Sequence, residues 1–293
     1  MPKEKPPALP TEGMFAVESF KEAGLTPVSA ARAKNLMQEA SVVESREEFE
    51  DLVEREQIKL REFFGKDINV PPVPASVSRE QYEKWKELRY ELHYIPDEEM
   101  TEDKNFPGWK KKPTSGSGGV NLFTATKDKD NKMAPDTLKL KAGWVLVDTR
   151  EKPGWVNDQT TAQPYEDDGD MERAIEELRA QGLIAGDANK GARFRISWEE
   201  LEKPEVRQKF AEIFDVSPDQ IRLPRAIELN FLGNAHYPTW GDTNSYEWFQ
   251  DSYQGSGHLV GGDSDYGGLS SVYWDDAGGR NDGVGFRPLI VFS

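Results

Sequence analysis

Apolar positions in the first third of the chain fall at helical spacing. From Ser78 onward, Tyr82, Trp85, Leu88 and Leu92 stand three or four residues apart, which is one face of a helix. Ser78 with Gln81 forms a capping pair at its start, and Ser45 with Glu48 repeats the device ahead of Phe49, Leu52 and Val53. Thr26-Pro27 opens an earlier helix into VSAARAKNLMQEA. No heptad persists, which argues against a coiled coil. Residues 96–119 (PDEEMTEDKNFPGWKKKPTSGSGG) then combine charge, proline and a Gly/Ser tract, the composition of a linker. Residues 1–119 are therefore predicted to be a charged α-helical N-terminal region and linker.

Beyond it the pattern changes. GWVLVDT (Gly143–Thr149) reads as a short buried strand. Asp170 is the predicted cap of a helix with Met171, Ala174, Ile175 and Leu178 on one face, ending at Gly182. Ser197 with Glu200 starts a second helical stretch that Pro204 interrupts, and Ser217-Pro218 with Gln220 caps a third. After Asn234 helix signals stop. Turn residues alternate with aromatics up to the terminal apolar run PLIVF. Strand, helices, a long irregular region and a closing strand predict one α+β domain over residues 120–293.

Composition narrows the classes of function. The 293 residues are 36% hydrophobic and 11% aromatic, enough for a core, and the net charge is −16. That charge argues against a nucleic-acid backbone or an anionic membrane as partner. No apolar run approaches the roughly 18–20 residues of a membrane span, and MPKEKPPALP lacks the apolar centre of a secretion signal. There is no cysteine, hence neither disulfide nor thiolate chemistry. These features suit a cytoplasmic or virion-associated protein.

Four segments then occur in a recognisable order: YPTWG (Tyr237–Gly241), NSYEWFQDSY (Asn244–Tyr253), LVGGDSDYGG (Leu259–Gly268) and VGFRPLIVF (Val284–Phe292). Together they resemble the C-terminal half of the formylglycine-generating, sulfatase-modifying-factor branch of the C-type lectin fold. The resemblance implies a scaffold of Trp240, Glu247, Trp248, Gly261, Gly262, Phe286 and Arg287. It implies buried aromatics, a Glu247–Arg287 ion pair, and a last strand beside WVLVD. Pro288 cannot donate to a ladder, so that strand should be bulged or at an edge there.

Enzymatic chemistry finds no footing in the sequence. The formylglycine-generating enzymes use a cysteine pair, absent here. His93, His236 and His258 share no ligand spacing, so no transition metal and no cofactor are expected. No GxSxG elbow occurs. Asp263, Asp265, Asp275, Asp276 and Asp282 leave calcium open as oxygen ligands of one loop.

The residues between the scaffold positions have another character. They are Asp242, Asn244, Tyr246, His258, Asp263, Tyr266, Ser271, Tyr273, Trp274, Asp275, Asp276, Asn281 and Asp282. Tyr and Trp give contact area at low rotamer cost, and small polar residues give adaptable hydrogen bonds, as binding loops require. Neither Lys nor Glu occurs after Glu247. Asn, Asp, Tyr, His, Ser and Gly are all reachable from an AAC codon by replacing adenines. In composition and position the stretch resembles the variable proteins of diversity-generating retroelements, which implies a hypervariable binding region over about residues 237–285. A fixed binding or adhesin module of the same fold is the alternative, and a sulfatase-modifying-factor-like oxidoreductase a third. The partner would be a protein or other macromolecule, with a separate docking partner open for the N-terminal helices.

Overall fold

A computed structural model describes residue 32 and residues 49–292, except 115–118, 128–132, 135, 156–164, 167 and 186–191. The helix expected after Thr26, the Ser45–Glu48 capping pair and the 115–118 Gly/Ser tract lie outside the described residues.

Helix α1 (Glu50–Phe64) buries Leu52, Leu60, Phe63 and Phe64 and ends at Gly65, whose φ of 70° terminates the turn. Ser78 caps α2 (Arg79–Glu87) by accepting from the Gln81 amide. The helix stops short of the predicted stripe. Arg89 takes a left-handed φ of 62°, and Tyr90–Ile95 becomes strand β1. Leu92 thus belongs to a sheet, a correction to an all-helical N-terminal region. The one-turn helix α3 (Leu122–Ala125) precedes β2 (Gly143–Asp148).

Helix α4 (Gly169–Ala180) starts at Asp168, so Asp170 lies in its first turn rather than at the cap. Helix α5 (Trp198–Leu201) carries a reciprocal Ser197–Glu200 capping box, and Pro204 opens α6 (Pro204–Phe214) from its first position. A 3₁₀ turn capped by Ser217 and Gln220 leads into the two-residue β3 (Ile221–Arg222). Helix α7 (Ala226–Ala235) is almost wholly buried, and the sequence pattern missed it because its apolar residues fall on every side, with Glu228 and Asn230 buried among them, and leave no single stripe.

Among the described residues, two four-stranded sheets result. The first has the order β1-β2-β8-β3, where β8 is Leu289–Phe292. Trp144 pairs Phe292 and Val147 pairs Leu289, antiparallel, so the closing strand lies beside WVLVD. Pro288 sits just before β8 begins, outside the ladder. The second sheet has the order β6-β5-β4-β7, built from β4 (Tyr246–Tyr253), β5 (Gly257–Gly261), β6 (Val272–Asp276) and β7 (Val284–Gly285). The stretch predicted to be irregular therefore holds an ordered sheet with β6 at one edge. The chain is α+β.

One hydrophobic core runs from Phe49 to Phe292, across the boundary expected near residue 119. Phe63 meets Phe231 of α7 edge-on at 5.1 Å. Trp85 of α2 packs on Phe292 at 5.4 Å and donates to the Phe214 carbonyl at 3.0 Å.

Candidate functional site

The second sheet is held from below by charge. Arg287, just ahead of β8, is buried with its guanidinium 4.0 Å from the Trp240 ring centre. Its Nε donates to Glu247 Oε2 at 3.2 Å, Nη2 lies 3.0 Å from Oε1, and Nη1 donates to the Asp148 carbonyl at 2.5 Å. Tyr165 donates its hydroxyl to Glu247 Oε1 at 2.7 Å. A two-point arginine–carboxylate contact fixes orientation as well as distance, so β4 and the start of β8 are locked together. Trp240, Trp248 and Phe286 are buried around this pair. Trp248 Nε1 donates to the Ile196 carbonyl at 3.0 Å, and Phe286 stacks on Phe210 at 5.3 Å.

Lys152, which sequence reasoning did not single out, completes the support. Its buried ammonium donates to the Trp240 carbonyl (2.8 Å), the Thr243 hydroxyl (2.9 Å) and the Gly262 carbonyl (2.8 Å). Burial lowers its pKa to about 8. A Cβ at Gly261 would sit 2.4 Å from the Ser271 carbonyl oxygen, and Gly262 has a φ of +93°, so neither position accepts a side chain without strain.

Above this support the polar and aromatic candidates divide. Tyr266, Tyr273 and Trp274 stand 47%, 42% and 38% exposed, and Asp242, Asp276 and Asn281 are exposed as well. Tyr246 and Asp275 are half-buried. Three others are not surface residues. His258 is buried and lies 3.5 Å from Trp198, ring on ring. Asp263 is buried and accepts from the Asp265 amide at 2.8 Å. Ser271 is buried where its carbonyl pairs with the Gly262 amide. Asn244 and Asp282 are engaged too. The Asn244 side chain accepts from the Trp155 amide (2.8 Å) and donates to its carbonyl (3.0 Å), and Asp282 pairs with Arg195 at 2.8 Å.

Strand geometry splits the exposed aromatics into two patches. Tyr273 stands opposite Val260, and Trp274 opposite Leu259, and neighbouring residues of a strand point to opposite faces. Tyr266 lies 6.2 Å from Tyr246, and Tyr273 is among the groups whose charge raises the Tyr246 pKa after burial and Asp263. Trp274 lies instead beside Tyr253, at 5.8 Å. Both patches border β6, the edge strand of the sheet among the described residues, whose Val272 carbonyl accepts from the Val120 amide at 2.8 Å. Trp155, 37% exposed, adds an aromatic that composition did not flag because it lies outside the loop-rich stretch.

Metal-ligand geometry departs from the expectation. Among the described residues, Glu56, His93 and His236 bring one ligand-type atom each within 4.8 Å of one another. His93 and His236 are 143 positions apart, so spacing gave no signal. Asp263, Asp265, Asp275, Asp276 and Asp282 form no such group among the described residues. Nor is any described helix long and apolar enough to cross a membrane.

No family model and no curated protein matches the sequence. Among solved structures, Treponema denticola variable protein 1 is similar at 12% identity, over 60% of this chain and 94% of that one, with a TM-score of 0.30. The likeness is distant.

Proposed function

We propose that this chain is a non-enzymatic ligand-binding protein, the diversified variable protein of a diversity-generating retroelement on a C-type lectin-like scaffold. One observation carries the reading. Large aromatics that ought to be buried (Tyr266, Tyr273 and Trp274) stand in solvent above a support of buried residues. Aromatic side chains held out at low rotamer cost make strong binding anchors. The separation of exposed anchors from a self-sufficient support is what repeated rewriting of surface codons demands. The sequence motifs in chain order, and the β2–β8 pairing that closes the chain, support the lectin-like scaffold.

The burial of His258, Asp263 and Ser271 favours a second reading, a fixed binding module, because positions engaged in packing resist free variation. Genomic sequence separates the two. A variable protein has, near its gene, a near-copy of the codons for about residues 240–290 that differs only at adenines, with a reverse transcriptase alongside. Substitutions in the copy should map to Tyr266, Tyr273, Trp274 and their exposed neighbours. A locus with neither template nor reverse transcriptase leaves the fixed module.

A further inference from the structure

Three elements converge on one buried point away from the sheet edge. Glu56 comes from α1, His93 from β1, and His236 caps the C-terminal end of α7. Glu56 is fully buried, and the His93 and His236 side chains are 2% and 5% exposed. Their rings lie 4.0 Å apart, and His93 Nδ1 is 3.0 Å from Glu56 Oε1. His236 Nε2 lies 3.7 Å from Glu56 Oε2 and has no hydrogen-bond partner among the described residues. A buried ring nitrogen left unpaired is costly and calls for an explanation.

We infer that Glu56, His93 and His236 form a binding site for a divalent transition metal of the zinc type. Two imidazoles and one carboxylate are donors that zinc accepts, with a fourth position left for water. Calcium and magnesium, which require mostly oxygen, are poorly served. The surroundings already supply the outer contacts that such a site needs. His93 Nε2 is 2.6 Å from the Tyr237 hydroxyl. When Nδ1 turns to the metal, the single imidazole proton resides on Nε2 and is donated to the Tyr237 oxygen. Tyr237 in turn donates toward Glu91 Oε2, 3.4 Å away. A partner on the second ring nitrogen orients a ligating histidine and fixes its tautomer. The Tyr94 amide donates to Glu56 Oε2 at 3.1 Å, which holds the carboxylate in place. Arg55 Nε lies 3.3 Å from Glu56 Oε1, but the same guanidinium donates to the Leu92 carbonyl at 3.0 Å and faces Glu91 at 3.6 Å. It keeps partners when the metal takes that oxygen. The ion would tie α1 to β1 and α7, pinning the N-terminal helix to the rest of the core.

The test uses the full chain without an affinity tag, stripped with chelator and then titrated with Zn²⁺ and separately with Co²⁺. The site takes up one equivalent of zinc, raises the thermal unfolding midpoint by mass action, and gives Co²⁺ the visible absorption of a four-coordinate site. His236→Ala removes an unpaired nitrogen, so the apo variant stays folded, but its stoichiometric binding is lost. Tyr237→Phe keeps the ring and weakens binding about 10- to 100-fold. Failure of the wild type to bind zinc or cobalt beyond trace level overturns the inference, as does equal uptake by His236→Ala. A cluster held only by hydrogen bonds gives that negative result. None of these readouts involves the binding face of β6.

Discussion

Arg287 is buried only because every direction its guanidinium faces is occupied: Glu247 at one edge, the Asp148 carbonyl at another, the Trp240 ring across its plane. Removing one partner of such a pair strands the other charge. Arg287→Met is expected to cost about 3–5 kcal/mol by denaturant unfolding, and Arg287→Met with Glu247→Leu to recover part of it. A cost under about 1 kcal/mol for the single change would show that the pair does not hold the sheet. Lys152 gives a pH-dependent counterpart. Its folded pKa of about 8 lies below its ordinary 10.5, with burial the main cause. Between those values the folded state binds fewer protons than the unfolded one, so the lysine's contribution to stability rises with pH across the window. The stability difference between wild type and Lys152→Met should therefore shift in the wild type's favour, by about 1–3 kcal/mol, from pH 7.5 to pH 10. A pH-independent difference would mean that the amine is not desolvated. The Arg287–Glu247 contact was legible from residue types and the motif order. Lys152 was not, because its partners are two backbone carbonyls and a threonine hydroxyl, which have no sequence signature.

At the scale of elements, β6 is the place where exposure and order meet. Among the described strands it pairs with β5 alone, and its Val272 carbonyl also accepts from the Val120 amide. Tyr273 and Trp274 project from opposite faces of one edge strand. Single substitutions at Tyr266, Tyr273 or Trp274 should change stability by no more than about ±0.5 kcal/mol, measured as melting curves. His258→Ala, Asp263→Ala and Ser271→Tyr should cost more, since those side chains are buried. If the two groups lose equal stability, the division between support and binding face does not exist. Elements with a local cause were readable from sequence. The Ser197–Glu200 and Ser217–Gln220 capping boxes form where the spacing put them. Elements whose cause is tertiary were not. Helix α7 buries apolar residues on every side, with Glu228 and Asn230 among them, and β4–β6 are short strands whose aromatic and aliphatic residues are interrupted by Gly, Asp and Ser turns that hid them. In β1, Leu92 mimicked a helical stripe, and only the left-handed Arg89 shows why the helix ends before it.

For the molecule as a whole, the core is the relevant unit. β1 covers one side of β2, and Phe63 and Phe64 of α1 pack on α7. A fragment of residues 120–293 would expose the β2 edge and this aromatic cluster. It is expected to be insoluble or to unfold without cooperativity, whereas an independently folded fragment with a sharp transition would place the N-terminal segment outside the core. Under the proposed function, a fixed support carries a replaceable binding face. The most direct measurement is a displayed library with Asp242, Tyr266, Tyr273, Trp274, Asp276 and Asn281 randomised together, sorted for folded protein by resistance to protease. The account predicts that most members survive with unfolding midpoints close to the parent and that the library yields binders to unrelated proteins. Loss of folding in most members would contradict it.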